Sequence, residues 1–172
     1  WIKHKNHFLL LDVDNPPQKK FSKSYQSGPL SFEYYLDGIK IITNSGFGSH
    51  ISKKAELLSR LTASQSTLTI NDTSITKFEK NERIIKIFGN SIQESFKSFD
   101  VFQKNEGNFI RCTATNDGYE KKFGCTHKRE IYLDKANNYL KGADHIFKVK
   151  DGYPIRYAFR FHINPKLSVV KT

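Results

Sequence analysis

Six histidines, at positions 4, 7, 50, 127, 145 and 162, and two cysteines, Cys112 and Cys125, are the side chains best suited to metal binding or nucleophilic chemistry in this 172-residue chain. Their spacing fits no metal pattern: only His4 and His7 are near neighbours, and two cysteines are too few for a zinc module or a disulfide-dense scaffold. No His-Glu-x-x-His helix or Gly-x-Ser-x-Gly elbow occurs, and Ser45-Gly46-Phe47-Gly48 lacks the Lys-Ser/Thr of a phosphate loop. What remains is a set of basic and polar side chains on expected strands. His127 stands beside Lys128 and Arg129, while Arg156, Arg160 and His162 fall on alternate positions that share one strand face. Such a row suits a carboxylate or sulfate, because a guanidinium offers a bidentate fork. It equally suits a solvated face with single ion pairs. His4, His7, His50 and His145 read as surface positions.

The elements that must position these groups are strands. Period-2 and short apolar runs bounded by turn residues recur from end to end, the signature of an antiparallel all-β domain. Residues 30–34 and 39–43 form the clearest hairpin, joined at Asp37-Gly38, a dipeptide that tolerates the positive φ of a type I′ turn. Further strands are expected at 8–13, 67–70, 84–88, 95–102, 109–115, 126–133, 146–149, 155–163 and 167–170. Turns at Asn105-Glu106-Gly107, Asn116-Asp117-Gly118, Asn137-Asn138 and Asp151-Gly152 separate several of them. The prolines of Asp14-Asn15-Pro16-Pro17 place residues 14–29 in a loop. Only 52–60 reads as helical, with Ser52 as N-cap. The expectation is one domain over 1–172, an antiparallel two-sheet β-sandwich with at most one short helix. Cys112 and Cys125 flank the turn at 116–118, so they either face each other and bond or stay as two buried thiols.

Composition bounds the partners. With 28 Lys+Arg against 17 Asp+Glu the formal charge is +11, while 37% hydrophobic and 13% aromatic residues exclude a disordered polybasic tail. No apolar stretch approaches the roughly 20 residues of a spanning helix, so no membrane association is expected. The charge fits either a face for a polyanion or a solvated surface, since the basic residues are dispersed. Phe96-Lys97-Ser98-Phe99 and Arg156-Tyr157-Ala158-Phe159-Arg160 interleave rings and cations as single-stranded nucleic acid requires. Strand alternation explains them more simply, and nucleic acid is not the expected partner. The chain opens at Trp1 and contains no Met, which predicts a piece of a longer protein.

Four segments taken in order, Gly28-Pro29-Leu30-Ser31-Phe32-Glu33, Ile42-Thr43-Asn44-Ser45-Gly46, residues 60–68, and Asn116-Asp117-Gly118-Tyr119 with Phe123-Gly124 and His127-Lys128-Arg129, resemble the C-terminal β domain of the heparinase II/III family. The similarity continues through Lys141-Gly142-Ala143-Asp144 and residues 157–162. These polysaccharide lyases join an N-terminal (α/α) toroid to an antiparallel β-sandwich. The resemblance implies β-elimination on an acidic, uronic-acid polysaccharide, in which a base removes the C5 proton and an acid, commonly Tyr, protonates the leaving oxygen. It implies that the toroid supplies the main acid and base, that this chain packs on its own toroid, and that the whole protein is periplasmic or extracellular.

The family's zinc pattern is not kept. Aligned on Leu30, the two motif histidines fall on Ser24 and Gln26 and the motif Asp on Gly28, and the later zinc positions fall on Asn44 and Gln65. Neutral amides are poor zinc ligands beside imidazole and carboxylate, so no zinc and no other cofactor is expected. The His of the family's His-Asp-Gly-Tyr segment is Asn116 here. Gln26, Asn44 and Gln65 can form a hydrogen-bonded amide cluster. With Tyr119 they either line a glycan groove or are satisfied buried polar groups. The expected substrate-contact set is Gln26, Asn44, Gln65, Asn116, Tyr119, His127, Arg129, Arg156, Arg160 and His162. Two functions follow: the β-sandwich of a lyase, or a non-catalytic glycan-binding or structural module.

Overall fold

The computed structural model describes residues 1–148 and 156–170. Among the described residues eleven strands form three antiparallel sheets. β1 (Ile2–His4), β2 (His7–Leu11), β3 (Phe32–Leu36), β4 (Ile39–Thr43) and β11 (His162–Ile163) make a five-stranded sheet in the order β1-β2-β3-β4-β11. β6 (Ser98–Glu106), β7 (Phe109–Asn116), β8 (Cys125–Asp134) and β9 (Tyr139–Lys148) form a four-stranded meander. β5 (Leu68–Ile70) and β10 (Tyr157–Phe159) form a two-stranded ribbon. The all-β sandwich expectation holds, with one layer split between the five-stranded sheet and the ribbon.

Two apolar clusters lie between the layers. Ile2, Leu9, Phe32 and Tyr34 of the five-stranded sheet meet Ile110, Cys112, Ile131 and Leu133 of the meander. Leu68 and Ile70 of the ribbon meet Ile75, Phe96, Tyr119 and Cys125. Odd-numbered positions of β8 face inward, so Cys125 joins one cluster and Ile131 and Leu133 the other. His127 and Arg129 then fall at the seam between them. Cys112 and Cys125 are free and buried. Cys112 lies opposite Ile131, six residues and about 20 Å along β8 from Cys125, so of the two alternatives the thiols hold.

The Asp37-Gly38 hairpin forms as expected, with φ of 52° and 76°. Ser52 caps α1 (Lys53–Ser59), its Oγ accepting from Ala55 N at 3.0 Å. Two further short helices, α2 (Glu82–Phe88) and α3 (Glu120–Phe123), exceed the single helix expected. The strand read at 84–88 is α2: Asn81 caps it through Arg83 N, and Gly89, at φ 69°, ends it. An isoleucine-rich run had the look of a strand, but Ile87 and Phe88 are exposed and among the described residues nothing pairs with them as a ladder. The turn read at 116–118 is a longer excursion containing α3. The segment 155–163 divides into β10 and β11, which pair with β5 and β4 and so cross between sheets. Residues 167–170 form no strand. The Asp151-Gly152 turn, Val149 and Ile155 lie outside the described residues.

His7 is not a surface residue. It is buried at the end of the sandwich, with Nδ1 2.6 Å from Tyr34 OH and Nε2 2.7 Å from Asn138 Oδ1 in the β8–β9 turn.

Candidate functional site: an amide-lined cleft

Gln26, Asn44 and Gln65 come together from three separate segments. They line a cleft of about 290 Å³ with Asp12, Gly28, Ser31 and Glu33. The buried Arg60 guanidinium positions the loop that carries Gln26. Its Nε donates to Tyr25 O at 2.9 Å, its Nη2 to Ser22 O and Asn90 O at 2.9 and 2.7 Å, and it lies 4.1 Å from the Phe78 ring centroid. Burial pushes its pKa down. Gly28 sits so close to the cleft wall that a Cβ there would come within 2.8 Å of Gln65 Cγ and 2.9 Å of Ser31 Oγ.

The three amides do not bond one another. Gln65 is buried and donates from Nε2 to Ser59 O at 2.8 Å. Asn44 accepts from Ser66 N at 2.7 Å and donates to Ser31 Oγ at 3.4 Å. The Gln26 side chain alone has no hydrogen-bond partner within the protein among the described residues. Two carboxylates share the cleft. Glu33 is matched by Lys40 Nζ at 2.7 Å. Burial pushes the Asp12 carboxyl up to about 6, outweighing its hydrogen bond from Asp14 N. The cleft therefore offers amide and hydroxyl groups beside the Asp12 and Glu33 carboxyls. Its donor set does not fit zinc: the three aligned positions carry amides, two of them engaged. Among the described residues no group of three or more His, Cys, Asp or Glu side chains is placed to hold a metal.

The other expected contact residues lie elsewhere. Tyr119 is in the core, with its hydroxyl donating to Thr73 O at 2.7 Å and burial raising its pKa. Asn116 is buried and organises its turn, accepting from Gly118 N at 2.8 Å and donating to Lys97 O at 3.1 Å. His127 and Arg129 share Asp144, which lies opposite Arg129 on β9. Arg129 Nε reaches Asp144 Oδ1 at 2.7 Å and Nη2 reaches Oδ2 at 3.1 Å, a bidentate pair. Arg129 Nη1 crosses the sandwich to Leu30 O and Ser66 O at 2.7 and 2.8 Å. Burial pushes His127 down, so its neutral ring donates Nε2–H to Asp144 Oδ1 at 2.7 Å. Burial alone would raise the Asp144 carboxyl, but hydrogen bonds from His127 and Arg129 override it and hold it at about 2.

Arg156, Arg160 and His162 do not form one row. Arg156 and Arg160 both pair with Asp72, whereas His162, on β11, faces Ala63 O at 3.1 Å. Sequence reasoning overlooked Asp12, Glu33 and Asp144. A usable signal existed for Asp12, since the outward positions of β2, Phe8 and Leu10, continue in phase to it.

The relative "FtsZ-localized protein C" of Caulobacter vibrioides (strain NA1000 / CB15N) is 24% identical over 166 residues, covering 91% of this chain and 28% of the relative. The chain thus spans less than a third of that protein's length. No solved structure matches. Among the described residues no helix is long and apolar enough to cross a membrane. The family model for the heparinase II/III-like C-terminal domain matches residues 1–172, an antiparallel β-sandwich from end to end of its described part, and the chain belongs to that family.

Proposed function

We propose that this domain is the β-sandwich wall of a heparinase II/III-like polysaccharide lyase, forming with the protein's own N-terminal toroid the cleft in which an acidic polysaccharide undergoes β-elimination. The observation that carries this reading is the open cleft in which Gln26 presents a free amide beside Asn44, Gln65 and Ser31. Amides and hydroxyls match the mixed donors and acceptors of sugar hydroxyls. In this reading the proton-transfer groups come from the toroid, and the site works without zinc, because amides replace imidazole and carboxylate at the aligned positions. Export to the periplasm or beyond goes with such a substrate.

A non-catalytic glycan-binding role has its own support. Tyr119, His127 and Arg129, three of the expected substrate contacts, are all committed to internal partners. Both readings are tested by incubating the full-length natural protein with heparan sulfate, chondroitin, hyaluronan and alginate and following the ultraviolet absorbance of unsaturated uronate. Product that falls with Gln26→Ala supports the lyase reading. Binding without product supports the second, and neither binding nor product on any of the four refutes the acidic-glycan assignment.

A further inference from the structure

The outer face of the five-stranded sheet carries a row of side chains that neither the core nor the cleft uses. The strand register sets Lys3 beside Phe8, Phe8 beside Tyr35 and Tyr35 beside Lys40. Four neighbouring strands therefore present cation, ring, ring, cation across about 14 Å, at ~4.8 Å per strand. Alternation requires this: Ile2, Leu9 and Tyr34 point into the core, so Lys3, Phe8 and Tyr35 point out. The Phe8 and Tyr35 rings lie 5.8 Å apart, and Trp1 extends the platform at 6.3 Å from Phe8. Lys40 lies 5.1 Å from the Tyr35 ring centroid, whereas among the described residues no cation lies over Phe8 or Trp1. A groove of about 630 Å³ lies along Lys3, Phe8 and Tyr35, with Lys5, Asn6, Asp37 and Gly38 at its end.

The free charge on this surface is positive. Lys40 is matched by Glu33 at 2.7 Å, and Asp37 is held by Asn6 Nδ2 at 2.8 Å. Lys3 and Lys5 have no carboxylate partner among the described residues. Lys3, Lys5 and Lys40 thus outnumber Glu33 and Asp37. The row is also continuous with the cleft. The next outward pair on β2 and β3 is Leu10 with Glu33, and both line the cleft. Phe8 is four residues from Asp12, about 13 Å along the strand.

We infer that this strip is a second contact site for an acidic oligosaccharide whose chain continues past the cleft, with Trp1 and Phe8 stacking on sugar faces and Lys3 and Lys5 meeting its carboxylates or sulfates. Among the described residues no cation lines the cleft, so the charge of a polyuronate is met on the strip. Ring faces attract the C–H faces of a sugar, and ammonium groups take anions as unhindered point charges. The inference rests on the acidic-glycan reading above, and the experiment separates the two.

The full-length natural protein is acetylated at lysine with and without heparan sulfate or alginate hexasaccharides, and labelling is read site by site by mass spectrometry. Binding of the same hexasaccharides is measured for the parent, Lys3→Gln/Lys5→Gln and Trp1→Ala, none of which removes a core side chain. The strip predicts that Lys3 and Lys5 label freely, that the glycan protects them, and that the double variant binds about tenfold more weakly at low salt, less so at high salt. Glycan binding without protection, and with equal affinity for the double variant, overturns the strip and leaves the cleft reading intact. Absence of acidic-glycan binding by the parent overturns both. Lysines that resist labelling in the free protein show a strip covered by another part of the chain, and equal protection by single-stranded DNA shows a generic polyanion surface; either result overturns the inference.

Discussion

Asp144→Ala tests whether the seam between the two apolar clusters is held by its buried charges. In the native protein Asp144 accepts two bonds from Arg129 and one from His127. Its carboxyl is held at about 2 against an ordinary 3.8, a shift worth about 2 kcal/mol. The sign follows from the depressed value: the stabilisation is present above pH 3.8 and is lost as pH falls through about 2. Truncation costs more than the shift, because the Arg129 guanidinium stays buried with Nε and one Nη unpaired. Removing one partner of a buried pair costs about 3–5 kcal/mol. Asp144→Asn retains one acceptor and should lose roughly 2–3 kcal/mol. Urea unfolding at pH 7, followed by near-ultraviolet circular dichroism, measures both, and the gap between parent and Asp144→Asn should narrow towards pH 2. A loss under about 1 kcal/mol for Asp144→Ala, or a gap that does not move with pH, would refute the account of the seam.

Three further outcomes follow from the same geometry. Gly28→Ala puts a Cβ within 2.8 Å of Gln65 Cγ, so it should cost about 1–3 kcal/mol in urea titration and weaken glycan binding by narrowing the cleft. Asp12→Asn should stabilise the protein by roughly 3 kcal/mol at pH 8, because the raised carboxyl binds its proton more tightly when folded. Between pH 6 and pH 4 that advantage should vanish, as the parent regains the stability it loses on ionisation. Tyr119→Phe should cost about 1–1.5 kcal/mol for the lost bond to Thr73 O, and glycan affinity, read by calorimetry, should not change.

Much of the fold was legible because strand alternation is a local signal. The Asp37-Gly38 turn, the Ser52 cap and the in-phase positions of β8 all follow from neighbours a few residues apart. α2 was missed because Ile84-Ile85-Lys86-Ile87-Phe88 has strand-like composition, while its helix depends on the caps Asn81 and Gly89. The amide cleft was partly legible: three positions were expected together and do converge, though not in bonds to one another. His127 and Arg129 face inward where a ligand-facing row was weighed, because sequence shows the alternation along a strand and in a sandwich the inward face can be polar. Only the partner strand tells, and Asp144 is met through register.

The seam and the cleft are mechanically one unit, with Ser66 as their shared joint. Its carbonyl accepts from Arg129 at 2.8 Å and its amide donates to Asn44 Oδ1 at 2.7 Å. Its hydroxyl donates to Thr43 O at 2.6 Å and accepts from His162 N at 2.9 Å. Arg129 also holds Leu30 O, and Leu30 keeps φ at 58°, a left-handed conformation that a bulky residue enters only when its surroundings enforce it. Leu30 precedes Ser31 in the cleft wall, and its amide donates to Asp12 O at 2.9 Å. Freeing Arg129 therefore releases both sides of the cleft at once, the Asn44 side through Ser66 and the Asp12 side through Leu30. The buried charges serve the site from a distance by fixing where its amides stand.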